Sequence, residues 1–386
     1  MGEFLFIVAI IIIVVCALIK IFSNGRERDG YDKKGNGNYN RGSADLVEPK
    51  PQKNKPQFFS IFKSHKEEAR YFNETPSCVF RYDNEAIKWC AGFFSLSQSE
   101  FKQILGYIPK QYKYFNMRKR CGGFRTISAP EGKLLEIQQL IYYRILQPAP
   151  CHPAATGFRQ GKSIVDNVRP HLGKKQILKT DLRDFFGSIH QHRVKRAFEQ
   201  IGYPAIVSEI LAQLCCLQKC LPQGSPTSPA LSNIIASRMD DRLVGLAKKY
   251  NLTYTRYADD LTFSGDFIPE EDFLSKLNTI VLREGFALNV KKTRFVGEGK
   301  RKIVTGVSIS SGVKLTIPKA KKREIRKNVY FVLTKGVTEH QRAIGSKHPV
   351  YVKCLLGQLS YWLSVEPDNQ YVRNSIKALK KLLSSH

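Results

Sequence analysis

The sequence predicts an α+β body preceded by a single transmembrane helix and a disordered linker. Three observations carry that prediction. Period-two alternation surrounds Ala258-Asp259-Asp260, and an apolar strand run ends at Asp181. Toward the carboxyl end, Ile325, Val329 and Val332, then Leu355, Leu359 and Trp362, recur at helical spacing. At the amino end, every residue from Phe4 to Ile19 is apolar. The length of 386 residues with 42% hydrophobic content suffices for two or three packed lobes and excludes a disordered or collagen-like chain. Lys+Arg 62 against Asp+Glu 33 gives a formal charge of +29. Such a balance fits a polyanion partner, nucleic acid first and an anionic membrane second, better than a neutral metabolite. Nine cysteines without a C-x-x-C pair argue against a disulfide framework or zinc ribbon and for a reducing compartment.

The first element is the apolar run, which Ile21 and Phe22 extend beyond Lys20. Its length approaches the ~20 residues that cross a bilayer. Glu3 stands where a signal peptide carries basic residues, and no A-x-A site follows, so residues 1–22 are expected to be a retained anchor. Lys20, Arg26, Arg28, Lys33 and Lys34 all follow the run, which by the positive-inside rule places the body in the cytoplasm. Residues 23–57 are rich in Gly, Asn, Pro and Lys and poor in aliphatic side chains, so a flexible linker is expected. Its r.m.s. reach would be roughly 30 Å.

Further along, GFRQGKS at Gly157–Ser163 has three residues between its glycines where a phosphate loop has four, and no clear apolar strand precedes it. It is set aside as a nucleotide-triphosphatase signal. ILKTDLRDFFGSI, Ile177–Ile189, reads as a strand ending at Asp181 with Phe185-Phe186 in the following turn. LPQGSPTSPALSN, Leu221–Asn233, reads as a loop, with Ser225 or Thr227 capping a helix that runs on through Ile235 and Met239. LTYTRYADDLTFSG, Leu252–Gly265, reads as a hairpin with two carboxylates at its tip. Asp is common in turns. A third carboxylate on an adjacent strand changes the reading, because Asp181, Asp259 and Asp260 together could hold two magnesium ions for phosphoryl transfer.

This order of an Asp strand, an LPQG loop with its helix and a YADD hairpin resembles the reverse transcriptases. The resemblance implies a right-hand polymerase with fingers over 58–175, palm over 176–310 and a helical basic thumb over 311–386. It implies RNA-directed DNA synthesis in which Asp181, Asp259 and Asp260 are catalytic metal ligands for two magnesium ions. It also implies that Gln223 touches the incoming nucleotide and template, and that Phe186 collides with a ribose 2'-hydroxyl and so selects dNTPs. MRKRCGGFRTISAP, Met117–Pro130, looks like the family's fingers hairpin. There Arg125, supported by Arg118 or Lys119, is expected to clamp the triphosphate, since a guanidinium matches phosphate oxygens bidentately. GFALNVKKTRF, Gly285–Phe295, matches the fourth palm motif, where Lys291 or Lys292 would stand near the leaving pyrophosphate. After Val313 the motifs stop, and fifteen Lys/Arg against four Asp/Glu suit a thumb that grips duplex phosphates.

Asn167-Val168-Arg169-Pro170-His171 resembles the N-A-x-x-H motif of retron reverse transcriptases, with Val168 in place of Ala, and Val304-Thr305-Gly306 matches their V-T-G motif. By that resemblance Asn167, His171, Val304, Thr305 and Gly306 are expected to bind RNA; without it, His171 reads as a structural histidine and Gly306 as an ordinary turn. The retron type implies that a structured noncoding RNA is primed from its own 2'-hydroxyl and copied into a branched RNA-DNA product. It further implies a part in antiphage defence, commonly with an effector protein; the single-pass anchor is unusual for that family and is expected to hold the ribonucleoprotein at the inner membrane. The alternatives are another bacterial reverse transcriptase or a non-catalytic RNA-binding scaffold.

Overall fold

A computed structural model of the chain describes residues 84–119, 122–346 and 348–384. The expected anchor (1–22), linker (23–57) and first part of the fingers lie outside the described residues. Among the described residues no helix is long and apolar enough to cross a membrane. The described chain forms two compact units, one of residues 84–324 with 362–369, the other of residues 325–361 with 370–384.

The larger unit opens with α1 (Asn84–Phe93) and α2 (Gln98–Gly106). A capping box in which Ser97 and Glu100 exchange side-chain and backbone bonds starts α2. A two-stranded ribbon follows, β1 (Tyr112–Arg118) antiparallel to β2 (Phe124–Pro130), with Met117 opposite Arg125. Next come α3 (Gly132–Ile141) and α4 (Ile164–Val168).

The central sheet has the order β4-β5-β3-β6 and is antiparallel throughout. Its strands are β3 (Gln176–Asp181), β4 (Thr253–Tyr257), β5 (Asp260–Gly265) and β6 (Arg294–Val296). Between β3 and β4 lie α5 (Gln191–Ile201), α6 (Ala205–Cys215), α7 (Ser228–Ile235) and α8 (Ser237–Lys249); α9 (Glu270–Arg283) follows β5. The alternation seen in the sequence sorts the two faces. Leu178, Tyr254, Leu261 and Phe263 enter the core with Leu243 of α8 and Phe273 of α9. Tyr254 and Phe263 stack at 4.7 Å between ring centroids, and Phe263 meets Phe273 edge-on at 5.1 Å. The other face carries Lys179, Asp181, Thr255, Asp260, Thr262 and Ser264 in register.

One expectation about the LPQG helix is corrected. The helix stops at Ile235 and a separate one starts at Ser237, so Ile235 and Met239 stand on different helices. Thr227 occupies the cap position but its side chain makes no capping bond. The Ser225 hydroxyl instead donates to buried Gln138 Oε1 at 2.6 Å and accepts from Thr227 N–H at 3.2 Å. Burial of the Gln138 amide decides this, since its oxygen needs a donor more than an open helix end does.

β7 (Ile303–Val304) and β8 (Val307–Ser308) form a short hairpin. The carboxyl end is helical, as its spacing predicts: α10 (Lys319–Lys335), α11 (Val337–Ala343), α12 (Tyr351–Val365) and α13 (Gln370–Ser384). Ile325, Val329, Val332, Leu355, Leu359 and Trp362 are all buried.

Candidate active site

The three aspartates converge because of strand register. Asp181 ends β3 directly opposite Asp260, the first residue of β5, and Asp259 precedes it in the turn. Tyr257 pairs with Asp260, so Ala258 and Asp259 alone turn the chain, with Ala258 held at φ +58°. One carboxylate oxygen from each aspartate lies within 4.8 Å of the others. Backbone bonds fix the cluster: Leu182 N–H donates to Asp259 O at 3.0 Å, and Asn289 N–H to Asp181 O at 2.7 Å.

Three acids so close repel one another. Burial, then the charges of Asp181 and Asp260, push the Asp259 carboxyl up to about 7. Asp260, exposed on one side, is raised by the partial desolvation of its carboxylate and by Asp181, with Lys292 and Lys179 opposing. Of the two lysines, Lys292 is the one that meets the cluster, its Nζ 2.8 Å from Asp181 Oδ2. Partial desolvation works against its charge, yet the bond to Asp181 and the fields of all three aspartates hold it above its ordinary value. Asn289 Nδ2 donates to Asp181 Oδ1 at 3.2 Å, a contact the sequence reading did not single out. The donor set fits a hard divalent cation, being three carboxylates whose mutual repulsion a cation would relieve.

Beneath the turn lies a buried ion pair that the sequence reading missed. Arg256 Nε is 2.8 Å from Asp240 Oδ1 and Nη2 is 2.6 Å from Asp240 Oδ2, and neither side chain is exposed. Its Nη1 donates to Asn233 Oδ1 at 2.9 Å and to Ala258 O at 3.2 Å. The available signal was parity, because Arg256 shares the inward face of β4 with Tyr254. Gly157 wedges against the same turn, where an added Cβ would stand 2.6 Å from Ala258 N. Asn233 Nδ2 donates to Gly157 O at 2.8 Å.

The β1–β2 ribbon offers Arg118, Lys119 and Arg125 to solvent, and Lys119 N–H donates to Gly123 O across the turn. The LPQG loop docks on this ribbon. Ser128 N–H donates to Gln223 O at 2.7 Å, and Gly224, at φ +124°, has Ser128 O only 2.7 Å from where a Cβ would sit. No other residue fits there without displacing backbone. Phe186 is half-buried, its ring 5.7 Å from Phe185 and 6.2 Å from Phe158.

The five residues expected to bind RNA fall into two groups. Asn167, His171 and Val304 are buried, at 1%, 0% and 0% exposure. Asn167 Oδ1 accepts from Thr156 Oγ1 at 2.9 Å and its Nδ2 donates to Thr305 Oγ1 at 3.2 Å. His171 bridges the catalytic strands, its Nδ1 2.6 Å from Ser264 Oγ and its Nε2 2.8 Å from Thr255 Oγ1. Burial, with Lys174 nearby, lowers its imidazole to about 4. Thr305 and Gly306, at φ +42° and +88°, form the β7–β8 turn, where Thr305 is half-buried and Gly306 exposed. The two motifs, 138 residues apart, thus meet through the Asn167–Thr305 bond.

Residues 108–326 match the family described as reverse transcriptase (RNA-dependent DNA polymerase). The chain is 36% identical over 278 residues to the retron Ec86 reverse transcriptase of Escherichia coli, covering 70% of this chain and 81% of that protein. It is 35% identical over 278 residues to the retron Mx65 reverse transcriptase of Myxococcus xanthus, covering 67% of this chain and 62% of that protein. Among solved structures, apo telomerase from Candida tropicalis aligns with a TM-score of 0.45 at 14% identity, over 84% of this chain and 61% of that chain.

Proposed function

This chain belongs to the retron-type reverse transcriptases and is an RNA-directed DNA polymerase, and on that footing we propose that it copies a structured noncoding RNA into short DNA at the Asp181–Asp259–Asp260 cluster. The observation that carries the reading is the convergence of three carboxylate oxygens within 4.8 Å at facing strand ends, with Lys292 paired to Asp181. Two magnesium ions held by these oxygens would supply Lewis-acid stabilisation of the attacking and leaving oxygens. Lys292 places a positive charge, and a transferable proton, beside the position of the leaving pyrophosphate. Arg125, with Lys119, clamps the triphosphate from the ribbon, while Gln223 lines the pocket from the loop docked beneath it. Phe186 excludes the ribose 2'-hydroxyl. In domain terms, residues 58–175 act as fingers, 176–310 as palm and 311–386 as thumb.

The VTG turn is the part of the retron motifs that meets RNA, and the buried Asn167 supports it from behind through Thr305. The amino-terminal apolar run anchors the ribonucleoprotein in the inner membrane with its catalytic body in the cytoplasm, where it serves antiphage defence alongside an effector. The supports for this are the run from Phe4 to Ile19 and the cations that follow it. The test is to purify the full chain in mild detergent and sequence the bound DNA and RNA beside an Asp259→Ala control. A single short DNA joined to a structured RNA, absent from the control, is the expected result. Heterogeneous DNA without RNA linkage would point to another reverse transcriptase class, and RNA alone in both samples to a scaffold.

A further inference from the structure

The GFRQG segment, set aside as a phosphate loop, is built into the catalytic turn. Residues 154–157 run alongside β4: Arg256 N–H donates to Ala154 O at 2.8 Å, and Thr156 N–H returns to Arg256 O at 2.8 Å. Gly157 then abuts Ala258 with no room for a side chain, and Asn233 Nδ2 ties its carbonyl to α7. The next residue is Phe158, whose backbone stands at φ +58°. Left-handed backbone is disfavoured for a bulky aromatic and suits Gly or Asn, so local folding does not ask for phenylalanine here. Nor does core formation, since Phe158 is 43% exposed. What the strained conformation achieves is to set its ring 6.2 Å from that of Phe186, with the planes at 36°. Phe186 in turn leans on Phe185, which is buried against Phe286 at 5.5 Å and lies under the Arg256 guanidinium at 5.9 Å. Phe186 is therefore held between a buried ring and an exposed one. Strain of this kind persists where the surroundings over-determine it, and it gathers at functional sites.

We propose that Phe158 is a positioning residue for sugar selection, bracing Phe186 from the solvent side so that the ring cannot swing away from a ribose 2'-hydroxyl. The inference rests on the reading of Phe186 as the sugar gate. An unbraced Phe186 retains its shape but loses its fixed place, so ribonucleotides enter more easily while deoxyribonucleotides are used as before.

The experiment compares kcat/KM for a dNTP and the matching NTP, using the full chain on an RNA template with an annealed DNA primer. The variants are Phe158→Ala, Phe158→Gly, Phe158→Tyr and Phe186→Ala. The expected result is that Phe158→Ala and Phe158→Gly lower the dNTP/NTP ratio by up to about tenfold, the upper range for one aromatic pair. Phe158→Tyr keeps the ratio, dNTP turnover is unchanged, and Phe186→Ala lowers the ratio further. The glycine variant relieves the backbone strain, so a folding defect in the alanine variant leaves the test intact. A wild-type ratio in both Phe158→Ala and Phe158→Gly, with a collapsed ratio in Phe186→Ala, would overturn the bracing role alone. A wild-type ratio in Phe186→Ala as well would overturn the gate reading and the brace with it.

Discussion

The two hairpins that carry the candidate substrate groups are built in opposite ways. In β4–β5 nearly every side chain is buried or half-buried, and Asp260 alone is exposed. Its turn is clamped by Arg256 from below and by Gly157 from the side, and His171 ties the two strands together away from the turn. Among the described residues of β1–β2 only Tyr112 and Pro130 at the base are buried, and at Gly122 and Gly123 an added Cβ would meet no described atom within 4 Å. A ribbon exposed on both faces has little apolar burial to hold it and yields easily. The difference suits the tasks proposed for them. Carboxylates that share a cation must keep their spacing, whereas a cationic ribbon closing on a triphosphate must be free to adjust.

The largest effect expected from this contrast is at the rigid turn. Asp259→Ala should reduce RNA-templated DNA synthesis by about a thousandfold or more, since carboxylate-held cations stabilise the transition state by several kcal/mol. Chelation of divalent cations should match it, and restored magnesium should reverse the chelation but not the mutation. Equal turnover in the variant would detach the cluster from the chemistry.

Next comes the clamp. Arg256→Met leaves Asp240 charged and buried without its partner and should cost about 3–5 kcal/mol of stability, read from the denaturant midpoint. A change below about 1 kcal/mol would mean that the turn keeps its shape without the ion pair.

His171 gives a pH test of the same frame. Folded, it resists protonation down to about 4, whereas an unfolded histidine takes its proton near 6.5. Its contribution is therefore complete above about 6.5 and is lost as pH falls from there toward 4, on the order of 3 kcal/mol in all. His171→Gln should flatten that slope; an unchanged slope would place the titrating group elsewhere.

The smallest effect on stability belongs to the open ribbon. Arg125→Ala should leave the thermal midpoint within about 0.5 kcal/mol of equivalent stability. It should nevertheless raise the KM for dNTP by roughly tenfold, the loss of one charge-assisted contact to phosphate. A destabilised Arg125→Ala would blur the contrast between the hairpins.

Much of this was legible in the sequence because it rests on local pattern. Alternation about Ala258-Asp259-Asp260 set the hairpin, apolar spacing set the carboxyl-terminal helices, and the order of motifs pointed to the family. The choice between Lys291 and Lys292 was not legible, since neighbouring residues of one short turn differ in direction, and only the fold aims Lys292 at Asp181. The role of Ser225 was equally hidden, because its hydroxyl answers to Gln138, 87 residues away, rather than capping its own helix.

What the sequence by itself determined is the chemistry available: three carboxylates at strand ends, a basic ribbon and a net charge of +29 suited to nucleic acid. Tertiary structure alone decided which polar residues face inward. Asn167 and His171 read as candidate RNA contacts, yet the fold spends their hydrogen bonds on Thr156, Thr305, Ser264 and Thr255. The physical reason is that a buried polar group must find its partner within the protein, and that partner is fixed by packing across 84 to 138 residues of chain in the bonds to Thr255, Ser264 and Thr305.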